Sequence, residues 1–128
     1  MKLYDEPILL TLAMRPNDEG APPVRVDLHA TRVTEHFAVH PARDRAPNQP
    51  IFSLPWVVTH IGSGLAAARG ESKRVVQLAA RAFEALPIDW SGAFDMGHCA
   101  LSEEQRAQCN AIRSLAAVGA LAALEPML

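Results

Sequence analysis

The stretch of sequence that decides the fold is residues 56–86, WVVTHIGSGLAAARGESKRVVQLAARAFEAL. Apolar residues on both sides of the Gly-Ser-Gly motif at 62–64 predict two short strands joined by a tight turn. We interpret both glycines as turn residues, because hairpin turns need positive φ angles. Ser72 can then cap a helix over about residues 72–86, in which apolar residues recur at helical spacing and which Pro87 ends. The stretch therefore predicts a hairpin followed by a helix that covers the sheet.

Further strands are predicted upstream of this hairpin. Residues 7–14 are almost wholly apolar, and residues 24–31 alternate apolar and polar side chains with the period of two that is typical of a strand with one buried face. Residues 33–40 are either a bent continuation of that strand or its hairpin partner. Residues 51–61 form the strand that enters the hairpin, and Pro55 predicts an edge or a bulge within it.

The C-terminal part of the sequence predicts a second helix over about residues 102–124. Ser102 and Gln105 have the spacing of a capping box, and the two glutamates between them complement the positive end of a helix. Pro126 closes this helix.

The predicted fold class is α+β, with residues 1–128 forming one domain. An antiparallel sheet of about four or five strands is covered by two helices, near 72–86 and 102–124. The loop at residues 41–50, PARDRAPNQP, is rich in proline and charge and is predicted to be mobile. Loops of this length inside compact domains are often functional.

The composition is that of an ordinary globular domain. Apolar residues make up 49% of the chain and charged residues 20%, which argues against wholesale disorder. No run of about 18 apolar residues exists, so we expect no membrane span. Acidic residues precede the first apolar patch and no small-residue cleavage site follows it, so we expect no secretory signal. The two cysteines fit a reducing compartment, and the expected location is the cytoplasm.

Charge is unevenly distributed along the chain, although the formal net charge is only −2. Residues 20–81 hold twice as many bases as acids, whereas residues 82–128 hold three times as many acids as bases. A bipolar molecule of this kind can self-associate or present its basic part to an anionic partner. The alternative is that the two parts neutralise each other within one fold.

Basic residues are the candidates for binding a partner, and the set is Arg43, Arg45, Arg69, Lys73, Arg74 and Arg81. The first two lie in the Pro-rich loop. The others surround the start and the outer face of the first helix, on which Arg81 and Glu84 are expected to point into solvent.

The start of that helix resembles a nucleic-acid-binding family. Residues 70–86, GESKRVVQLAARAFEAL, resemble the last helix of the double-stranded RNA-binding domain family. The matching residues are Gly70, Ser72, Lys73 and Arg74, followed by Ala79, Ala80 and Ala82. The resemblance implies contacts with phosphates, so a nucleic-acid-binding domain with a basic helix face is one candidate function. The first helix of that family has no counterpart before the predicted strands.

A second resemblance covers about residues 51–90. The WVVTHIGSGLA hairpin and a helix that ends in ALPIDW resemble small hypothetical proteins of phages, prophages and other mobile elements. Proteins of that kind include inhibitors of host defence systems. The resemblance implies a non-enzymatic protein that binds a host or element-encoded protein, and this is the function we expect first.

The last helix predicts self-association. Residues 115–124, LAAVGALAAL, are apolar on every face of a helix, so every face must be buried. We expect burial against a second copy of the chain, most simply in a homodimer. The residues predicted to form that contact are Leu115, Ala116, Gly119, Ala120 and Ala123. The alternative is a central helix enclosed by its own sheet and first helix.

Residues with catalytic or metal-binding chemistry are sparse. His98, Cys99 and Cys109 lie close in the sequence and could form a nucleophile or a zinc site. His36 and His40 are four residues apart, which in an extended strand separates them by roughly 13 Å. We therefore expect no enzyme activity, no metal and no cofactor. A small enzyme or metal protein centred on His98, Cys99 and Cys109 is the last alternative.

Overall fold

The computed structural model describes residues 1–14, 24–42, 54–91, 94–95, 98–99 and 101–127. Five antiparallel strands form a sheet in which each strand pairs with the next one in sequence. These strands are β1 Glu6–Met14, β2 Val24–Arg32, β3 Phe37–Pro41, β4 Trp56–His60 and β5 Ala66–Gly70. The helices are α1 Lys73–Ala85, α2 Glu103–Ala117 and α3 Leu121–Leu124. The predicted α+β class is confirmed, and the Pro-rich loop lies largely outside the described residues.

The first three strands resolve the question left open at residues 33–40. The chain bends after β2, and β3 is the hairpin partner of β2, to which it pairs only through Thr31–Val39 and Arg32–Ala38. Pairing between β1 and β2 extends over the full length of both strands. The sheet therefore ends in a long two-stranded ribbon, with β1 at one edge and β5 at the other.

The β4–β5 hairpin is confirmed, but one detail of its turn was predicted wrongly. Gly64 has a φ of 71°, whereas Gly62 does not adopt a positive φ. The hydroxyl of Ser63 supplies part of the turn instead, since it accepts a hydrogen bond from the N–H of Leu65 at 3.2 Å. Pro55 lies just before β4, and the irregularity in pairing falls between Val58 and Thr59.

Helix α1 covers one face of the sheet. The hydroxyl of Ser72 accepts a hydrogen bond from the N–H of Val75 at 3.2 Å and caps the helix as predicted. The buried face of α1 packs against β3, β4 and β5. The main core contains Phe37, Val39, Val58, Ala68, Val75, Val76, Leu78, Ala79, Ala80, Ala82, Phe83, Trp90, Ile112, Ala116 and Leu124, among others.

Helix α2 begins as predicted and ends earlier than predicted. The Ser102–Gln105 capping box is present. The helix stops at Ala117 because Gly119 adopts a φ of 68°, a conformation that interrupts a right-handed helix. The chain then turns into α3 and a 3-10 turn at Glu125–Met127. The prediction of one continuous helix over 102–124 was therefore wrong.

Two smaller features complete the described fold. Phe94–Asp95 and His98–Cys99, here β6 and β7, form a short antiparallel pair in the connection between α1 and α2. A second apolar cluster contains Leu10, Leu12, Ala30 and Ala38. None of the described helices is both long and apolar enough to span a membrane.

Candidate functional site

A groove runs between the edge strand β5 and helix α2, which pack against each other. One cavity of about 310 Å³ lies at the hairpin end of this groove. A second cavity of about 470 Å³ continues along β5 as far as Leu54. Both cavities are lined by Ala66, Ala67, Asn110 and Arg113, so they adjoin each other. We call this pair of cavities the β5–α2 groove.

The cavity at the hairpin end of the groove, which we call the inner cavity, has a floor of aromatic side chains. Phe37, Phe83 and Trp90 all line it and are at most 3% exposed. The Phe37 and Trp90 rings meet edge to face with centroids 4.9 Å apart, an arrangement that aromatic pairs favour. The indole N–H of Trp90 donates to the carbonyl of Phe83 at 3.0 Å and so holds the segment that follows α1 against the helix. Leu65 and Leu101 add to this apolar lining, which suits an apolar side chain of a ligand.

A buried histidine connects the hairpin to this floor. Nε2 of His60 lies 2.6 Å from the carbonyl oxygen of Trp90. Because a carbonyl only accepts, Nε2 carries the proton and donates it, and Nδ1 accepts. Nδ1 accepts hydrogen bonds from the hydroxyl of Ser63 at 2.9 Å and from the backbone N–H of Ser63 at 3.2 Å. Burial lowers the pKa of His60 below 6.5, against the smaller raising effect of the hydrogen bond to Trp90. His60 is therefore a neutral structural link in this turn.

A second histidine pairs with a carboxylate from α1. Nδ1 of His36 lies 3.0 Å from Oε2 of Glu84, and the backbone N–H of His36 donates to Oε1 of Glu84 at 2.9 Å. The side chain of Glu84 is only 12% exposed, so the prediction that it points into solvent was wrong. The helical spacing placed it correctly on α1, but the loop before β3 covers it. The ring of His36 stacks near that of His60, with centroids 6.5 Å apart.

Arginines form the polar part of the groove. Arg106 and Arg113 lie on α2 two turns apart, with Asn110 between them, and all three line the inner cavity. Arg69 of β5 lines the second cavity. No described lining residue of either cavity is acidic. Among the described lining residues the charged side chains are therefore basic, and an anionic ligand fits them.

Sequence reasoning missed Arg106 and Arg113 because they lie in the mostly acidic part of the chain. A helical signal was present, since the spacing Arg106, Asn110, Arg113 places the three on one stripe of α2. The buried residues Ile112 and Ala116 lie on a different side of that helix. The sequence alone does not show that this stripe of α2 lies beside β5.

The predicted partner-binding residues are spread over several places. Lys73 and Arg74 are exposed in the first turn of α1. Arg74 lies 3.6 Å from Glu125 in an exposed ion pair. Arg81 is half-buried, and its Nε is buried without a hydrogen bond, so the prediction that it points freely outward was wrong. Arg43 and Arg45 lie outside the described residues.

The predicted self-association residues differ in burial. Ala116 is fully buried in the core of its own chain and is not available for a second copy. Leu115, Gly119 and Ala120 are half-buried, and Ala123 is exposed. The chain turns at Gly119 and leaves Val118 75% exposed and Leu121 38% exposed, so residues 115–124 are not buried on every face within their own chain. Their burial against a second copy stays a prediction.

The residues proposed for a nucleophile or zinc site are only partly described. Cys109 is half-buried and lines the inner cavity. The backbone of His98 and Cys99 lies in β7, and their side chains are outside the description. Within the described part of the chain, no group of three metal-ligating side chains comes together.

The comparisons with known proteins return no family. No family model, no curated protein and no solved structure matches the chain. Among the described residues, the β5–α2 groove combines an apolar floor with basic side chains around it and is the candidate functional site.

Proposed function

We propose that this chain is a non-enzymatic binding protein that acts on another protein, and that the β5–α2 groove is its binding surface. The observation that carries the proposal is the meeting of an apolar cavity and a basic rim in one open groove beside an edge strand. Protein interfaces combine a buried apolar anchor with polar groups around it, and arginine is enriched among the residues that dominate binding.

The hydrogen bonds of the cavity favour binding over catalysis. Ser63 and His60 lie in contact, as a nucleophile and its base would. However, both side chains also bind the backbone of the turn, since Nδ1 of His60 accepts the N–H of Ser63 and the Ser63 oxygen accepts the N–H of Leu65. Nε2 of His60 donates to a backbone carbonyl, that of Trp90, rather than to a carboxylate. Together these bonds stabilise the hairpin turn and join it to Trp90, in the segment that follows α1. The pair is better explained as part of the hairpin than as a reacting group.

The identity of the partner is proposed from the sequence. The resemblance of residues 51–90 to mobile-element proteins favours a host or element-encoded protein, and inhibition of a host defence system is the activity we propose. Two cysteines are too few for a disulfide framework, and we propose that the protein works in the cytoplasm.

Capture from a nuclease-treated bacterial lysate tests the binding surface. We expect the tagged full-length chain to retain a defined protein, and the variant with Arg69→Glu and Arg113→Glu to lose it. Both arginines are exposed, so the fold should survive, and circular dichroism checks this. The matched control is Lys73→Glu with Arg74→Glu, which reverses the same number of charges away from the groove and should retain the protein. Equal capture by both variants contradicts the proposed surface.

A second candidate function is nucleic-acid binding through Lys73 and Arg74, which are exposed side by side at the start of α1. It predicts binding that weakens by roughly one power of salt concentration per phosphate contact. Gel shifts at low salt with duplex RNA, duplex DNA and single strands test it. Here Lys73→Glu with Arg74→Glu should abolish the shift, the opposite of its expected effect on protein capture.

We also propose that the chain forms a homodimer. Its support is the apolar surface left by the turn at Gly119, to which Ala117, Val118, Leu121, Ala122 and Ala123 contribute exposed side chains. Contiguous apolar surface of this kind commonly marks an interface. This surface replaces the set that included the buried Ala116.

A further inference from the structure

Strand β5 offers its backbone to the groove. It lies at the edge of the sheet, and among the described strands it pairs with β4 alone. Its first three residues are the alanines of the sequence AAARG, and all three line the groove. An edge strand presents a row of N–H and C=O groups that can pair with another chain.

The shape of the groove favours an extended occupant. It follows β5 from Leu65 at the hairpin to Leu54 at the far end of the second cavity. The five residues of β5 span about 17 Å at roughly 3.3 Å per residue. A helix would bring its backbone groups already paired, so it could not use those of β5, whereas a strand could.

The charged side chains that line the groove indicate which side chains an occupant would carry. Arg69 lies on one side of the groove and Arg113 lies on the other, with no acidic side chain among the described lining residues. Acidic side chains of an added strand would lie within reach of these guanidinium groups, which bind carboxylates in a bidentate manner. Apolar side chains on the alternate positions would face the aromatic floor.

We propose that the β5–α2 groove takes an extended acidic segment of a partner protein, which adds to the sheet as a sixth strand beside β5. This inference rests on the proposed function and specifies the chemistry of the partner. Backbone hydrogen bonds to β5 supply part of the affinity, and the arginines with the inner cavity supply the specificity.

Model peptides test the inference directly on the full-length chain. The probe is a capped ten-residue peptide of alternating valine and glutamate, and the comparison peptide replaces every glutamate by lysine. We expect saturable binding of the glutamate peptide only, with hydrogen exchange slowed by about tenfold or more at those Ala66–Gly70 amides that do not pair with β4. Strand β1, at the opposite edge of the sheet, is the internal control, and its exchange should not change.

Backbone pairing is separated from charge by chemical modification of the probe. Methylating the amide nitrogens along one edge of the glutamate peptide removes the donors on that edge and keeps every charge. Two such peptides are made, one methylated along each edge. We expect the peptide whose methylated edge faces β5 to lose binding and the other peptide to retain it. The Arg113→Glu variant should weaken binding of the unmodified peptide by about five- to tenfold, as expected for reversing one partner of a charge pair.

The outcomes separate this inference from the proposed function. Unchanged exchange of Ala66–Gly70 at saturation, equal binding of the lysine peptide, or no binding at millimolar concentration each overturns strand addition. If the Arg69→Glu, Arg113→Glu variant still loses the captured protein in that case, protein binding in the groove stands and its occupant is of another kind. If that variant captures the protein normally, the proposed surface also fails.

Discussion

At the scale of single residues, two buried histidines act as neutral connectors in the sheet. Nε2 of His40 lies 2.8 Å from the hydroxyl of Thr59, and its Nδ1 lies 2.8 Å from the carbonyl of Pro41. His60 similarly joins Ser63 to Trp90. Burial is the largest cause of a lowered pKa at both histidines, and the charge of Arg69 lowers that of His40 further. Each ring is therefore maintained in its neutral form by the fold.

These lowered pKa values predict that the protein loses stability in mild acid. In the unfolded chain both histidines take up protons as the pH falls through about 6.5, whereas the folded protein resists protonation. The unfolded state then binds more protons, so the free energy of unfolding decreases below pH 6.5 by up to about 1.4 kcal/mol per pH unit for each histidine. Urea unfolding at pH 7.5, 6.5 and 5.5 measures this slope.

A pair of variants assigns the slope to its source. His60→Gln should be less stable at pH 7.5 and should show a smaller decrease in stability towards pH 5.5. His29 is exposed on β2, and His29→Gln should keep the slope of the unmodified protein. A slope that is the same in all three proteins would mean that His60 does not contribute to it.

At the scale of elements, the end of α2 shows how one glycine redirects the chain. The N–H of Ala120 donates to the carbonyl of Leu115 at 3.0 Å, and the N–H of Gly119 donates to that of Ala116 at 3.1 Å. These two bonds form a Schellman motif, with Gly119 in the left-handed conformation that the motif requires. The turn directs α3 back over α1 and brings Leu124 fully into the core.

The left-handed conformation of Gly119 predicts that Gly119→Ala lowers the free energy of unfolding, and that Gly119→Asn lowers it by less. A Cβ at this position would lie 2.6 Å from Oε1 of Glu71, the far end of a flexible side chain, and both variants share that cost. They differ in the left-handed backbone, which costs alanine about 1–2 kcal/mol and which asparagine tolerates better. Urea unfolding of the two variants measures the difference, and equal stabilities would show that the backbone of residue 119 is unstrained.

The elements that local sequence could predict are those with a complete local signal. The hairpin at residues 62–64, the cap at Ser72 and the capping box at Ser102 each depend on residues within a few positions, and the structure contains all three. The end of α2 also had a local signal in Gly119. Glycine tends to end helices, but the uninterrupted apolar run at residues 115–124 predicts one continuous helix, with Gly119 in its self-association contact.

At the scale of the whole molecule, the candidate site could not be predicted because its parts meet only through packing. Arg69 and Arg113 are 44 positions apart in the sequence and come to one groove because α2 packs on β5. The uneven charge of the chain suggested a basic part and an acidic part, but a stripe of α2 brings two arginines of the acidic part to the basic groove. Similarly, the burial of Glu84 depends on its contact with His36, which is 48 positions away in the sequence.

The last prediction concerns the assembly of whole molecules. Val118 is 75% exposed and Leu121 38% exposed, and three exposed alanines at 117, 122 and 123 lie around them in the chain. If this surface forms a symmetric contact, each change on it acts twice in the dimer. We expect a dimer by light scattering at high micromolar concentration, and a monomer for Val118→Asp with Leu121→Asp.

The control for this prediction is Leu9→Asp, which places one aspartate, half the charge of the double variant, at an apolar residue of β1 that is 66% exposed and should leave the dimer intact. Circular dichroism of each variant distinguishes loss of the contact from loss of the fold. Because the double variant spares Ala116 and Leu124, which the core needs, it should remain folded. A monomeric unmodified chain at high micromolar concentration would show that this apolar surface serves another purpose than self-association.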